Sequence, residues 1–137
     1  MIHVLIADDH YLVRQGIRAL LEQARDISVV AEAEDGRNVM RLVDEHNPDV
    51  VVMDISMPLM DGLSVTRSLQ KRNSPPRIVI LSMYGNVDLV ERAIKNGALG
   101  YLLKRSTASE LVEAVRSAYQ GNLFLGSNLN TQMPNHS

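Results

Sequence analysis

Three aspartates, a serine and a lysine stand at places where a chain alternating strand and helix would bring them together. Asp8 and Asp9 follow the apolar run Ile2–Ala7, and Asp54 follows Val50-Val51-Val52-Met53. Ser82 follows a second β-branched run, and Lys104 closes Gly100-Tyr101-Leu102-Leu103. Three carboxylates at one edge raise each other's proton affinity, so either one takes a proton or a cation enters. Oxygen-only donors in a shallow, wet site suit Mg²⁺, which keeps several waters and takes one or two carboxylates plus a phosphate oxygen. His10, just past Asp9, is the one histidine at a comparable place, so a transition-metal site is disfavoured. A carboxylate beside Mg²⁺, with an ammonium and a hydroxyl opposite, is equipped to accept a phosphoryl group. Phosphorylating Asp54 would replace one negative charge by roughly 1.5 to 2. That excess would draw in Lys104 and the Ser82 hydroxyl and move the loops that carry them, turning a local charge event into a change of shape.

The elements that must position these groups are read from periodicity. Ile2–Ala7 is the first strand, and Val13, Ile17, Leu20, Leu21 and Ala24 then recur at helical spacing. Residues 28–33 form a second strand. Val39, Leu42, Val43 and His46 mark a helix stopped by Asn47-Pro48. Residues 49–53 are apolar on both faces, as in a buried parallel strand. A helix over 61–71, a strand over 77–81, a helix from an Asn86 N-cap to a Gly97 stop, and a strand over 100–103 follow. Thr107-Ala108-Ser109-Glu110 fits a capping box that opens a last helix bearing Leu111, Val112, Val115, Ala118 and Tyr119 on one side. Five strand–helix units in succession predict an α/β fold: a parallel sheet with helices on both faces. In such sheets ligands bind beyond the carboxyl ends of the strands, where the five chemical residues lie.

Composition narrows the classes further. At 137 residues, 45% hydrophobic and 22% charged, the chain is one ordinary globular domain, or a domain with a tail. It has no Cys, which excludes disulfide frameworks, Cys-ligated zinc and thiol catalysis. A net charge of −2, one Phe and no Trp offer neither a basic field nor stacking platforms for nucleic acid. No apolar run is long enough for a bilayer span and the start lacks a basic leader, so the expectation is a cytoplasmic protein. Residues 121–137 contain no Asp, Glu, Lys or Arg but several Asn and Ser, two Gly and a Pro. They read as a linker or tail outside a 1–120 domain, with Leu123, Phe124 and Leu125 alone able to anchor its start.

Singly, each residue has a plain explanation. Asp8-Asp9 could merely favour a helix N-terminus, Lys104 a wet surface, Ser82 a turn, and Tyr101 the core with its hydroxyl in water. His3, His10 and His46 read as surface or packing residues, and Arg67, Lys71, Arg72 and Arg77 as a solvated basic face. Together, five such residues at matching strand ends outweigh those readings. With them stand Met53-Asp54-Ile55-Ser56-Met57-Pro58-Leu59-Met60-Asp61-Gly62 and Gly97-Ala98-Leu99-Gly100-Tyr101-Leu102-Leu103-Lys104. From Met1 to about Gln120 the chain resembles the receiver domain of two-component response regulators. Ala7-Asp8-Asp9-His10 followed by Arg14-Gln15-Gly16 resembles the subgroup with a LuxR-type helix-turn-helix output.

The resemblance implies a doubly wound, flavodoxin-like, five-stranded sheet of order 2-1-3-4-5, as in the CheY-type proteins. It implies Asp54 as phosphoacceptor and Asp9 as direct ligand of Mg²⁺. Asp8 would ligate mostly through water, and the Ser56 carbonyl would be the third protein ligand. Ser82 and Lys104 would contact the phosphoryl group, with Tyr101 as aromatic switch. Ser82 stands where Thr is commoner, and Arg105 where many receivers have Pro, which leaves the Lys104–Arg105 peptide isomer open. The implied partners are a sensor histidine kinase, a second copy on activation, and DNA only through an output domain not in this chain; no membrane is implied. The chain would catalyse only its own phosphorylation and dephosphorylation.

Rival functions lack their residues. An Asp-nucleophile phosphatase wants a second Asp two positions on, where Ser56 and His10 stand instead. A nucleotide or flavin binder wants a glycine-rich turn, and Asp8-Asp9-His10-Tyr11 is none. A free-standing DNA binder wants a basic recognition helix. A stand-alone receiver that docks on a partner protein stays open beside the transcriptional reading.

Overall fold

A computed structural model describes residues 1–106, 108–127 and 129. Strands β1 (Ile2–Ala7), β2 (Ile27–Ala33), β3 (Val50–Asp54), β4 (Arg77–Ser82) and β5 (Gly100–Leu103) alternate with helices α1 (Tyr11–Glu22), α2 (Gly36–His46), α3 (Gly62–Leu69), α4 (Val87–Lys95) and α5 (Ala108–Tyr119). The chain then adds a short β6 (Phe124–Leu125). All pairings are parallel, in the order β2-β1-β3-β4-β5-β6.

Alternation along each strand sorts the core into two layers. Leu5, Val51, Met53, Ile78, Ile80 and Tyr101 face Val39, Val43, Val65, Leu69, Val90 and Ala93 of α2, α3 and α4. Val4, Ile6, Val50, Val52, Val79 and Leu102 face Ile17, Leu21, Leu111, Ala114 and Val115 of α1 and α5. With helices on both sides, β3 is buried at all five positions, which is why it is written as an unbroken apolar run. No helix of the described residues is long and apolar enough to cross a membrane.

Boundaries follow local chemistry. Asp35 and Asp61 cap α2 and α3 by accepting from the Asn38 and Ser64 N–H groups, each at 2.9 Å. Asn47 ends α2 in the left-handed region at φ 45°, just ahead of Pro48. Asn86 is the N-cap of α4, although its side chain makes no capping hydrogen bond. The capping box expected at Thr107 falls outside the described residues. Strand β3 starts one residue later than the pattern predicts and takes in Asp54, while the Asp49 side chain accepts the His3 N–H.

The expected five-stranded sheet has six strands, with the predicted order kept for the first five. Strand β5 would otherwise be an open edge, with unpaired backbone groups. Phe124 N–H donates to Leu99 O at 2.9 Å and Gly126 N–H to Tyr101 O at 3.0 Å. Ser127 donates through N–H and Oγ to the Glu110 carboxylate at 2.8 and 2.9 Å. Leu129, 8% exposed, packs into the same layer as Tyr101 and Val90.

Candidate functional site

The carboxyl ends of β1, β3, β4 and β5 converge on a cleft of about 210 Å³ lined by Asp9, His10, Asp54, Ser56, Ser82, Met83, Tyr84 and Lys104. A groove of about 360 Å³ lies at the opposite end of the sheet, between Asn47, Pro48, Pro76 and Arg77. Its carboxylate, Asp49, is already committed to His3, so the chemistry belongs to the smaller cleft.

Asp54 is delivered by the last residue of β3 and is 4% exposed. Its Oδ1 accepts the Ser56 N–H at 3.2 Å and its Oδ2 accepts from Lys104 Nζ at 3.0 Å. The loop behind it is tightly folded. Gly62 N–H donates to Ile55 O at 2.9 Å, and a Cβ at Gly62 would stand 2.5 Å from the Asp54 carbonyl oxygen. Any side chain there would push the end of β3 outward.

Asp8 is 1% exposed and follows β1, with its N–H on Ala33 O. Its Oδ1 accepts from the His10 N–H at 2.8 Å, which folds the acidic turn back on itself. Asp8 Oδ2 lies 2.7 Å from Lys104 Nζ, so the buried carboxylate is ion-paired to the same lysine that reaches Asp54. Asp9 is more exposed, and its Oδ1 is 3.1 Å from His10 Nδ1. Donor atoms of Asp8, Asp9, His10 and Asp54 all lie within 4.8 Å of one another.

Burial pushes the Asp54 carboxyl above its ordinary range, and the charge of Asp8 adds to this; the hydrogen bond from Lys104 opposes but does not cancel it. Burial alone would lower the Lys104 ammonium, yet Asp8 and Asp54 outweigh it and hold the group firmly protonated. One lysine cannot neutralise this acidic cluster, and its oxygen donors fit a small, hard cation such as Mg²⁺.

Ser82 and Tyr101 are both fully buried, and the β4–α4 turn links them. Ser82 Oγ accepts the Tyr84 N–H at 3.0 Å, and the Tyr101 hydroxyl donates to the Tyr84 carbonyl at 2.6 Å. Lys104 N–H donates to Ser82 O at 2.9 Å. The Tyr101 hydroxyl therefore reaches the turn beside the cleft rather than water, and burial raises its pKa. The peptide after Lys104 is trans, there being no cis bond among the described residues.

All seven residues singled out in the sequence thus lie in or directly behind one cleft. Two neighbours were not read from sequence. His10 is exposed, as the sequence suggests, but its ring also touches both acidic side chains. Arg14, 5% exposed, donates to the Asp8 carbonyl at 2.7 Å. His10's place next to Asp9 was a usable signal, whereas Arg14 gave none beyond its motif. The basic face includes Arg72, which pairs with Asp44 at 3.1 Å away from the cleft.

Comparison with known proteins gives a consistent match. The profile of the response regulator receiver domain covers residues 4–116. The transcriptional regulatory protein LiaR of Bacillus subtilis is 44% identical over 127 residues, 93% of this chain and 60% of LiaR. The response regulator UvrY of Escherichia coli is 39% identical over 133 residues, 97% of this chain and 61% of UvrY. A LuxR-family two-component response regulator from Aurantimonas sp. SI85-9A1 superposes with a TM-score of 0.91 at 33% identity, over 98% of this chain and 96% of the other. The signal receiver domain of NarL from Mycobacterium tuberculosis does so with 0.85 at 36%, over 88% and 98%. The chain spans about three-fifths of the length of LiaR and UvrY.

Proposed function

The chain belongs to the response-regulator receiver domain family, and from that premise we propose that it is a phosphorylation-driven signalling switch with Asp54 as acceptor. The observation that carries this reading is Asp54 itself. It is a buried carboxylate at a strand end, 3.0 Å from Lys104 and inside a cluster of acidic donors that opens to a cleft.

The phosphodonor is a phosphohistidine of a sensor histidine kinase. A carboxylate oxygen of Asp54 attacks phosphorus, the new O–P bond forms as the N–P bond breaks, and the electron pair returns to the imidazole. Asp9 would hold Mg²⁺ directly, Asp8 mostly through water, with Asp54 and the Ser56 carbonyl completing the protein ligands. Bound there, Mg²⁺ supplies charge neutralisation for the phosphoryl oxygens. Lys104 turns from Asp8 and Asp54 to the new dianion, and Ser82 Oγ gives up the Tyr84 N–H to donate to a phosphoryl oxygen. Because the Tyr84 carbonyl holds the Tyr101 hydroxyl, the turn and the ring move together. The chain turns over no external substrate beyond its own phosphorylation and dephosphorylation.

The length of the relatives favours a transcriptional output through a LuxR-type DNA-binding domain; the receiver extends past the expected 1–120 to take in β6 and Leu129, and the rest of 121–137 would lead toward that domain. The protein would work in the cytoplasm, dimerise on activation and make no membrane contact; DNA would be bound only through the output domain. Incubation with acetyl phosphate and Mg²⁺ tests the reading. It predicts about one acid-stable, base-labile phosphoryl group per chain, lost in Asp54→Asn. Steady turnover without accumulated label would point to an enzyme instead.

A further inference from the structure

Strand β2 carries an irregularity with a consequence for the acidic turn. Val4 of β1 pairs with Val29, but Leu5 pairs with Ala31, so Val30 is an extra residue in β2. Before this bulge Ile27 and Val29 face α1 and α5; after it Ala31 and Ala33 face the other layer. In a regular strand Glu32 would share a face with Ser28 and Val30, away from α1. The bulge turns it beneath α1, a common use of bulges beside functional sites. There Glu32 Oε1 accepts from Arg14 Nε at 2.9 Å and from Gln15 Nε2 at 2.8 Å, while Oε2 accepts from Arg18 at 2.6 Å. Burial opposes the charge on Glu32, but Arg18 and then Arg14 outweigh it and hold the carboxyl below its ordinary range.

Arg14 spends its second donor elsewhere: one terminal N–H goes to the Asp8 carbonyl oxygen at 2.7 Å. Its guanidinium also lies over the Tyr11 ring, 5.5 Å from the centroid. An ion pair between a buried arginine and a half-buried glutamate is a poor device for stability alone, since desolvation of the arginine consumes much of the attraction. Its planar fork does what a single ammonium cannot, joining β2 to the backbone of the acidic turn in one fixed geometry. We propose that Arg14, oriented by Glu32, is a positioning residue that fixes the Asp8–Asp9 turn for cation binding. Nothing in the phosphotransfer itself requires Arg14 to touch the phosphoryl group. The inference rests on the reading that these aspartates hold Mg²⁺.

The test is a Mg²⁺ titration of the ¹⁵N-labelled protein, followed by the amide shifts of Asp54 and Ser56, with thermal midpoints measured in EDTA alongside. Arg14→Lys should bind Mg²⁺ about tenfold more weakly, the usual scale for losing an outer support of a ligand. Glu32→Gln should fall between that variant and the wild type. Arg18→Ala, which removes a Glu32 partner without touching the Asp8 carbonyl, should bind as the wild type does even if its midpoint drops. If Arg14→Lys does not fold, Glu32→Gln decides. Wild-type affinity in both Arg14→Lys and Glu32→Gln, however far their midpoints fall, would make the pair a mere staple and overturn the proposal. Equal weakening in Arg18→Ala would overturn it too. A wild-type protein that binds no Mg²⁺ would instead refute the underlying reading, and this inference with it.

Discussion

Replacing Lys104 by methionine keeps the aliphatic stem and removes the charge that faces Asp8 and Asp54 at 2.7 and 3.0 Å. At an effective dielectric of about 20, each contact is worth roughly 5–6 kcal/mol of gross attraction. Desolvation of the ammonium and of two buried carboxylates offsets most of that, but the cost is already met in the wild type. Removing one partner leaves the others unpaired, which in buried pairs costs about 3–5 kcal/mol. Lys104 keeps 13% of its side chain exposed and the cleft admits water, so a loss of about 2–3 kcal/mol is expected without divalent cations. For a chain of this length that lowers the thermal midpoint by roughly 10 °C. Mg²⁺ should recover much of the deficit, since a cation at a hundred times its dissociation constant adds about 2.7 kcal/mol. The variant, having lost the competing ammonium, should gain more from it than the wild type. Urea unfolding followed by circular dichroism, with EDTA and then with Mg²⁺, measures both effects. A variant as stable as the wild type in EDTA, or one that gains less from Mg²⁺, would refute the account of an acidic cluster held by one lysine.

Further outcomes follow from the same geometry. Asp9→Ala should weaken Mg²⁺ binding more than Asp8→Ala, and equal losses or the reverse order in a shift titration would exchange their roles. Glu32 has a folded-state pKa below its ordinary 4.5, so its stabilisation is present above that value and is lost as pH falls through the folded pKa. The stability gap between wild type and Glu32→Gln should therefore be largest near neutrality and close in acid, and a gap that widens in acid would contradict the assignment. Leu129→Ala should cost about 2 kcal/mol, the lower end for a buried leucine, because Leu129 closes the layer beside Tyr101. Calorimetry showing no change would detach that residue from the core.

What the sequence makes legible is local and periodic. Val50-Val51-Val52-Met53 reads as a doubly buried strand, so the charge of Asp54 at its end is conspicuous. The same logic places Asp8-Asp9 and Lys104 at the ends of two further strands, β1 and β5. Phe124–Leu125 is too short to show any period, and its pairing depends on an edge that exists only once β5 is in place. The burial of Leu129 follows from that pairing. The extra residue at Val30 is also silent in sequence, because Ser28-Val29-Val30-Ala31-Glu32 gives no sign of where alternation slips. Without the slip, the meeting of Glu32 with Arg14 could not be foreseen. Tyr101 was placed in the core by its neighbours, but its hydroxyl's partner is a backbone carbonyl, which no side-chain pattern encodes.

The most direct test of the central claim locates the phosphoryl group chemically. After incubation with acetyl phosphate and Mg²⁺, borohydride reduction converts an aspartyl phosphate to homoserine, which peptide mass spectrometry then places in the chain. The account predicts homoserine at Asp54 and nowhere else, formed only when Mg²⁺ is present. Homoserine at Asp8 or Asp9, or undiminished phosphorylation of Asp54→Asn, would contradict it.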